Sequence, residues 1–160
     1  MAALEKLAAL AGDWQATYKL RGDPSFESDT TTHARVTSLL AGRFVRIDYT
    51  WDEEDVLKEN GPQEGSLLVG FEDEPAPGIA TIAWIDGWHN GGRIMVSAGV
   101  LLESGGVDVR GSYPDRPEYA GWGWRTVLEP TNAGWSMTMY NTTPDGEEAL
   151  AVSADYSRPD

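Results

Sequence analysis

The chain has 160 residues, a length typical of one compact domain, and we expect a single domain over residues 1–160. Its 12 basic and 26 acidic residues give a formal net charge of −14, so nucleic acids and anionic membranes would be repelled. The absence of cysteine excludes disulfides, thiol catalysis and cysteine-held metal centres. Hydrophobic residues make up 41% without any run that could span a membrane, which indicates a soluble globular domain.

The N-terminal segment has the spacing of a short amphipathic helix. Leu4, Leu7 and Leu10 recur at helical intervals and Gly12 follows, so the pattern predicts a helix over Leu4 to Leu10 that covers an apolar surface. The segment lacks the basic start, apolar centre and cleavage site of a secretory signal. We therefore expect a cytoplasmic protein.

From Gly12 onward the apolar residues alternate with polar ones, which is typical of β-strands with one buried face. The clearest case is the stretch from Phe44 to Trp51. Ten strands are predicted: Asp13 to Arg21, Thr30 to Leu39, Phe44 to Trp51, Gly65 to Phe71, Ile79 to Asp86, Arg93 to Leu101, Val107 to Tyr113, Trp122 to Leu128, Trp135 to Thr142 and Leu150 to Ser157.

The connections between these strands contain Gly, Pro, Asn or Asp, and many are short. Because short turns join antiparallel neighbours, the strands form a meander. Ten meandering strands would expose two sheet edges unless the sheet closed on itself. We therefore predict an all-β fold, a ten-stranded antiparallel up-and-down barrel, with a two-sheet sandwich as the alternative.

The most concentrated group of functional residue types lies at the end of the fifth predicted strand. Trp84, Asp86 and Trp88 alternate there, and His89 follows directly. Asp86 and His89 are the candidate catalytic residues, as a hydrogen-bonding anchor or a proton acceptor at the mouth of an aromatic cavity. The competing interpretation is that Asp86-Gly87 is only the turn of a hairpin.

Seven tryptophans indicate either a pocket for a flat guest or a densely filled core. A barrel of this size can hold a small ligand or be filled by side chains. The candidate ligand-binding residues are those expected to face inward: Tyr49, Trp51, Trp84, Asp86, His89, Trp124, Trp135, Met137 and Met139.

The sequence gives little support for a metal or a cofactor. The second histidine, His33, lies on a polar strand face with Arg35, where exposure is expected. No pair of ligand residues has a metal-type spacing. Nucleotide-binding glycine loops and the Gly-X-Ser-X-Gly elbow are both missing from the sequence. We expect neither metal nor cofactor.

The opening of the first predicted strand resembles a signature of the calycin superfamily, the lipocalins and their relatives. Gly12 and Trp14 match its Gly-X-Trp motif, and Arg158 follows the last strand. The resemblance implies that Arg158 lies across the Trp14 ring at the closed end of the barrel, in a desolvated cation–π contact.

Four stretches resemble a mostly bacterial, lipocalin-like group of unknown function, related to nitrobindins and fatty-acid-binding-protein-like barrels. They are Leu7 to Trp14, Leu40 to Val45, Gly65 to Phe71 and Trp84 to His89. This resemblance implies a barrel with an internal cavity and no particular reaction. Nitrobindins hold haem through a histidine near the C-terminus, and Leu150 to Asp160 contains none, so haem is not expected.

Three hypotheses about function follow. The first is a protein that binds a small apolar or aromatic molecule in the barrel interior. The second is an enzyme in which Asp86 or His89 transfers a proton on such a guest, with burial raising the pKa of the carboxyl toward neutrality. The third is an interaction domain that meets a basic partner or forms a homodimer through its wall.

Overall fold

The computed structural model describes residues 3–113 and 117–160. It confirms the predicted all-β fold with one short N-terminal helix. The elements are α1 (Glu5–Ala8), β1 (Gly12–Leu20), β2 (Ser28–Leu39), β3 (Phe44–Trp51), β4 (Gln63–Glu72), β5 (Ile79–Asp86), β6 (Met95–Leu101), β7 (Val107–Ser112), a 3₁₀ helix (Pro117–Tyr119), β8 (Gly123–Pro130), β9 (Gly134–Thr142) and β10 (Glu148–Ser157). No helix in the described part of the chain is long and apolar enough to cross a membrane.

The strands form a closed barrel in sequence order. Each strand pairs antiparallel with the next along the chain, and β10 pairs with β1 to complete the ring. Closure gives every strand two neighbours and removes the edges that an open sheet would expose. The barrel prediction is confirmed, and the alternative of an open two-sheet sandwich is not.

The helix is shorter than the predicted Leu4 to Leu10. Its backbone bonds join Ala8 to Leu4 and Ala9 to Glu5, but Leu10 N–H bonds to the Leu7 carbonyl three residues back, at 3.1 Å. The chain therefore tightens as it enters β1, which ends the α-helix early. Leu4 and Leu7 are still buried, and the helix packs against β2, β3 and β8.

Different segments of the chain cover the two ends of the barrel. The helix lies at the end where β1 begins, which we name the helix end. Antiparallel order places the connections after β1, β3, β5, β7 and β9 together at the other end, which we name the loop end. Phe26, from the connection after β1, packs edge-on against Trp88 from the connection after β5, at 5.5 Å between ring centroids.

Aromatic pairs fill much of the barrel interior. The ring centroids of Tyr18 and Trp51 are 4.9 Å apart, and those of Trp84 and Trp124 are 5.1 Å apart, both stacked. Trp135 stacks on Tyr156 at 4.0 Å nearer the helix end. All these rings are buried. Such contacts add to the apolar burial that stabilises the barrel.

Arg158 and Trp14 join the end of the chain to its first strand. The guanidinium carbon of Arg158 lies 3.9 Å from the centroid of the Trp14 ring, and the side chain donates to the Ala11 and Asp13 carbonyls. Trp14 Nε1 donates to the Leu10 carbonyl at 2.8 Å. Arg158 is solvent-exposed, so the expected desolvation of this contact is wrong. A side chain at Gly12, whose φ is +127°, would overlap the guanidinium.

Candidate functional site

The end of β5 carries Asp86 into the barrel. Asp86 is the last residue of the strand, and its Oδ1 accepts the backbone N–H groups of Trp88 at 2.9 Å and His89 at 2.8 Å. Asp86 therefore holds the turn, as the simpler interpretation of Asp86-Gly87 has it. The connection to β6 spans residues 87–94, so Asp86-Gly87 opens a longer loop that also contains His89.

A chain of side-chain hydrogen bonds runs through the Asp86 carboxylate. Trp84 Nε1 donates to the Tyr49 hydroxyl at 2.9 Å, and Tyr49 donates to Asp86 Oδ2 at 2.7 Å. His89 Nδ1 lies 3.0 Å from Asp86 Oδ1. Register brings these groups together, because Tyr49 on β3 and Asp86 on β5 both pair with Gly65 on β4. A Cβ at Gly65 would overlap the Tyr49 ring and hydroxyl.

These hydrogen bonds determine the charge of Asp86. Burial alone raises the pKa of its carboxyl, but the positive charge of His89 and the hydrogen bonds from His89 and Tyr49 outweigh that effect, so the pKa is lowered. The expectation that burial would raise this pKa toward neutrality is therefore wrong. The four donors around the carboxylate stabilise its ionised form. Burial and the Asp86 charge raise the pKa of Tyr49 well above its ordinary value, so its hydroxyl keeps its proton.

Four indole rings surround the imidazole of His89. Its side chain is 6% exposed, and the imidazole centroid lies 4.9 to 5.6 Å from the rings of Trp51, Trp84, Trp88 and Trp124. Asp86 occupies Nδ1. The other ring nitrogen, Nε2, is buried and has no hydrogen-bond partner within residues 3–113 and 117–160.

A cleft of about 510 Å³ opens beside His89 at the loop end. The connection after β5 and the segment around β7 and β8 form most of its walls and contribute several aromatic side chains. Tyr113 donates to Asn141 Oδ1 at 3.2 Å on the far wall. Principal lining residues are Trp88, His89, Asn90, Met95, Tyr113, Trp122 and Asn141.

The structure separates the predicted ligand-binding residues into two groups. The first surrounds the imidazole or its carboxylate partner: Tyr49, Trp51, Trp84, Asp86, His89 and Trp124. The second packs elsewhere, with Trp135 against Tyr156, and with Met137 and Met139 paired in register with Ala154 and Val152. Apart from His89, all nine are at most 3% exposed. These side chains fill the barrel, and among them only His89 reaches the cleft.

Several cleft residues were not among the predicted site residues. Trp88 was noted for its alternation with Trp84 and Asp86, while Asn90, Tyr113, Trp122 and Asn141 lie in loops or at strand ends, where no periodicity marks them. Their nearness depends on which loops meet at the loop end. The available signal was the density of aromatic and amide residues in the connections after β5 and β7.

A larger concave surface, of about 910 Å³, lies along the outer wall of β1 to β5. Its principal charged groups pair with one another: Arg35 bonds to Asp13 at 2.8 Å, and His33 Nδ1 lies 2.7 Å from Glu53. His33 is exposed there. No group of three or more His, Asp or Glu residues in the described ranges is arranged to hold a metal ion.

Comparison with known proteins identifies the family and supports the fold. The crystal structure of Rv2717c from M. tuberculosis aligns with a TM-score of 0.66 over 100% of this chain and 99% of that one, at 10% sequence identity. At that identity the likeness concerns the fold alone. No curated protein matches the chain. The model of a family described as a protein of unknown function, DUF1579, matches residues 2–158, and the chain belongs to that family.

Proposed function

We propose that this protein binds a small molecule with an aromatic or apolar body in the cleft at the loop end, with His89 as the polar anchor. One observation carries the proposal: His89 lines the cleft with its Nδ1 held by Asp86, and its Nε2 is buried without a hydrogen-bond partner among residues 3–113 and 117–160. Buried polar atoms in proteins are nearly always hydrogen-bonded, and an unpaired one costs about 1–3 kcal/mol. A guest in the cleft would supply the missing partner.

The lining of the cleft suits such a guest. Ligand sites combine apolar and aromatic walls with a few polar groups that fix orientation. Trp88, Met95 and Trp122 supply the walls here, and His89, Asn90 and Asn141 supply the polar groups. The proposal places the guest at the loop end and not among the rings at the barrel centre, because those rings already pack on one another.

A relation to the calycins is part of this proposal. The closed antiparallel barrel, the N-terminal helix and the contact of Arg158 with Trp14 agree with the resemblance noted in the sequence. Barrels of this kind can bind a small molecule at their mouth. A cleft at the end opposite the helix is therefore where we expect the guest to enter.

Tryptophan quenching by a panel of aromatic and aliphatic compounds tests the proposal. We expect saturable quenching by aromatic members, and at least several-fold weaker binding in Trp122→Ala, whose side chain is 37% exposed at the cleft. Phe44→Ala is the matched control, because Phe44 is 38% exposed at the helix end, far from the cleft. Equal loss in both variants, or no saturable quenching by any compound, would refute binding in the cleft.

A second candidate is an enzyme that moves a proton on the bound guest. The Asp86–His89 contact of 3.0 Å favours it, because a carboxylate that holds one imidazole nitrogen orients the other as a base. Deuterium exchange at the methyl group of acetophenone, followed by NMR, provides the test. Catalysed exchange that is lost in His89→Gln would support this activity, and exchange at the buffer rate in the wild type would refute it.

The homodimer and the basic partner suggested by the sequence stay predictions. The surface that would carry a homodimer is the outer face of β5 and β6, where Ile85, Val96 and Val100 are exposed and no charged residue points outward. Exposed apolar faces of this kind mark interaction sites. Sedimentation equilibrium of the wild type and of Val96→Lys would show whether two copies associate there.

A further inference from the structure

The tautomer of His89 follows from the contacts of Asp86. The carboxylate accepts hydrogen bonds at both oxygens and stays ionised, so it can act only as an acceptor toward His89 Nδ1. The proton of a neutral imidazole must therefore lie on Nδ1. Nε2 then carries a lone pair and can only accept a hydrogen bond.

In the part of the chain that the structure describes, no group donates a hydrogen bond to this lone pair. The Tyr113 hydroxyl donates to Asn141, and the Asn90 amide donates to the Trp84 carbonyl at 3.4 Å. The Trp84 indole donates to Tyr49. Trp51 and Trp124 each lie beside the imidazole with an indole N–H that bonds to no described group. The hydrogen-bond donor to Nε2 must therefore come from a group other than these side chains.

We propose that the guest carries a hydroxyl group on an aromatic body and donates its hydrogen to Nε2 of His89. This inference rests on the proposed function and names the chemical class of the guest. The aromatic body would lie against Trp88 and Trp122, which line the cleft. A hydroxyl supplies the donor that a lone pair on Nε2 requires.

The charges around the cleft favour a neutral guest over an ionic one. Arg93 and Glu118, one of each sign, both line it, together with the phenols of Tyr113 and Tyr119. Behind His89 lie the ionised Asp86, whose oxygens already accept hydrogen bonds, and Tyr49, which keeps its proton. The net charge of −14 also disfavours the approach of an anion. A phenolic or alcoholic hydroxyl is neutral and can donate a hydrogen bond to Nε2.

Three probes of almost identical shape separate this inference from the proposed function. They are 2-naphthol, 2-methoxynaphthalene, which accepts but does not donate, and naphthalene, which does neither. In the wild type we expect 2-naphthol to bind roughly tenfold or more tighter than 2-methoxynaphthalene. In His89→Phe we expect this ratio to fall to about one, whereas in Phe44→Ala, at the helix end, we expect it to stay as in the wild type.

Equal binding of all three probes would overturn the hydroxyl inference and leave cleft binding intact. Failure of all three to bind would overturn cleft binding as well.

Discussion

His89 contacts one oxygen of Asp86 twice, through its backbone N–H at 2.8 Å and through Nδ1 at 3.0 Å. The double contact ties the loop backbone and the imidazole to the same carboxylate. Because Tyr49 holds the other oxygen, the carboxylate can rotate little without breaking a charge-assisted bond. The orientation of the His89 ring thus depends on a strand residue three positions earlier.

Asp86→Asn should destabilise the barrel by about 2 kcal/mol or more near neutral pH, because charge-assisted bonds to Tyr49 and His89 are lost. Asp48→Asn is the control, since Asp48 is half-exposed and pairs with Arg46 on the outer wall, where about 1 kcal/mol or less is expected. Urea unfolding followed by circular dichroism measures both. Equal effects would contradict the special role of Asp86.

The stability difference between wild type and Asp86→Asn should depend on pH. The folded pKa of Asp86 is lowered, so the unfolded chain binds this proton first as the pH falls. The contribution of the carboxylate is complete above the unfolded pKa of about 3.9 and is lost progressively below it. Urea midpoints at several pH values from neutral downward should therefore converge in the acid range. A difference that stays constant would disprove the linkage.

Tyr49→Phe removes the hydroxyl that joins Trp84 to Asp86. It leaves a buried indole N–H unpaired and a carboxylate oxygen with one donor fewer, so a loss of about 2–4 kcal/mol is expected. Tyr156→Phe is the matched control, because that buried hydroxyl lies 3.1 Å from the neutral Thr32 hydroxyl and contacts no charged group in the described ranges. A cost of about 1 kcal/mol is expected there. Chemical denaturation compares the two, and a larger cost for Tyr156→Phe would count against the network.

Gly65→Ala should destabilise the site from β4, the strand that lies between Tyr49 on β3 and Asp86 on β5. The added methyl would overlap the Tyr49 ring and hydroxyl, which are already fixed by Asp86 and Trp84, at an expected cost of about 1–3 kcal/mol. Gly92→Ala is the control, since a methyl there would meet nothing within 4 Å. Thermal melts of the two variants should differ clearly. Similar melting temperatures would show that the Tyr49 ring moves aside freely.

Arg158→Ala should weaken the link between the end of the chain and β1. It removes the contact with the Trp14 ring and two bonds to backbone carbonyls, and about 1–2 kcal/mol is expected for an exposed cation. Arg46→Ala removes an exposed arginine that pairs with Asp48 on the wall, and a change within about 1 kcal/mol is expected. Unfolding free energies of the two variants decide the matter. A smaller loss for Arg158→Ala than for Arg46→Ala would reject the proposed link.

The fold could be predicted from the sequence because its signals are local. In β3, residues alternate between burial and exposure along the strand, and this period is visible in the sequence from Phe44 to Trp51. Short connections make neighbouring strands antiparallel, and closure follows from the need to cover edges. The same signals fail at the helix, where backbone geometry at Leu10 ends the α-helix early.

The amino-acid order alone determined an all-β barrel and placed Asp86 and His89 beside tryptophans. Only the tertiary structure decided that Tyr49 bonds to Asp86, that Trp124 packs beside His89, and that the remaining aromatic residues fill the barrel. The physical reason is that strand periodicity depends on near neighbours along the chain. Contacts across the barrel depend instead on the register of several strands and on which loops meet at one end.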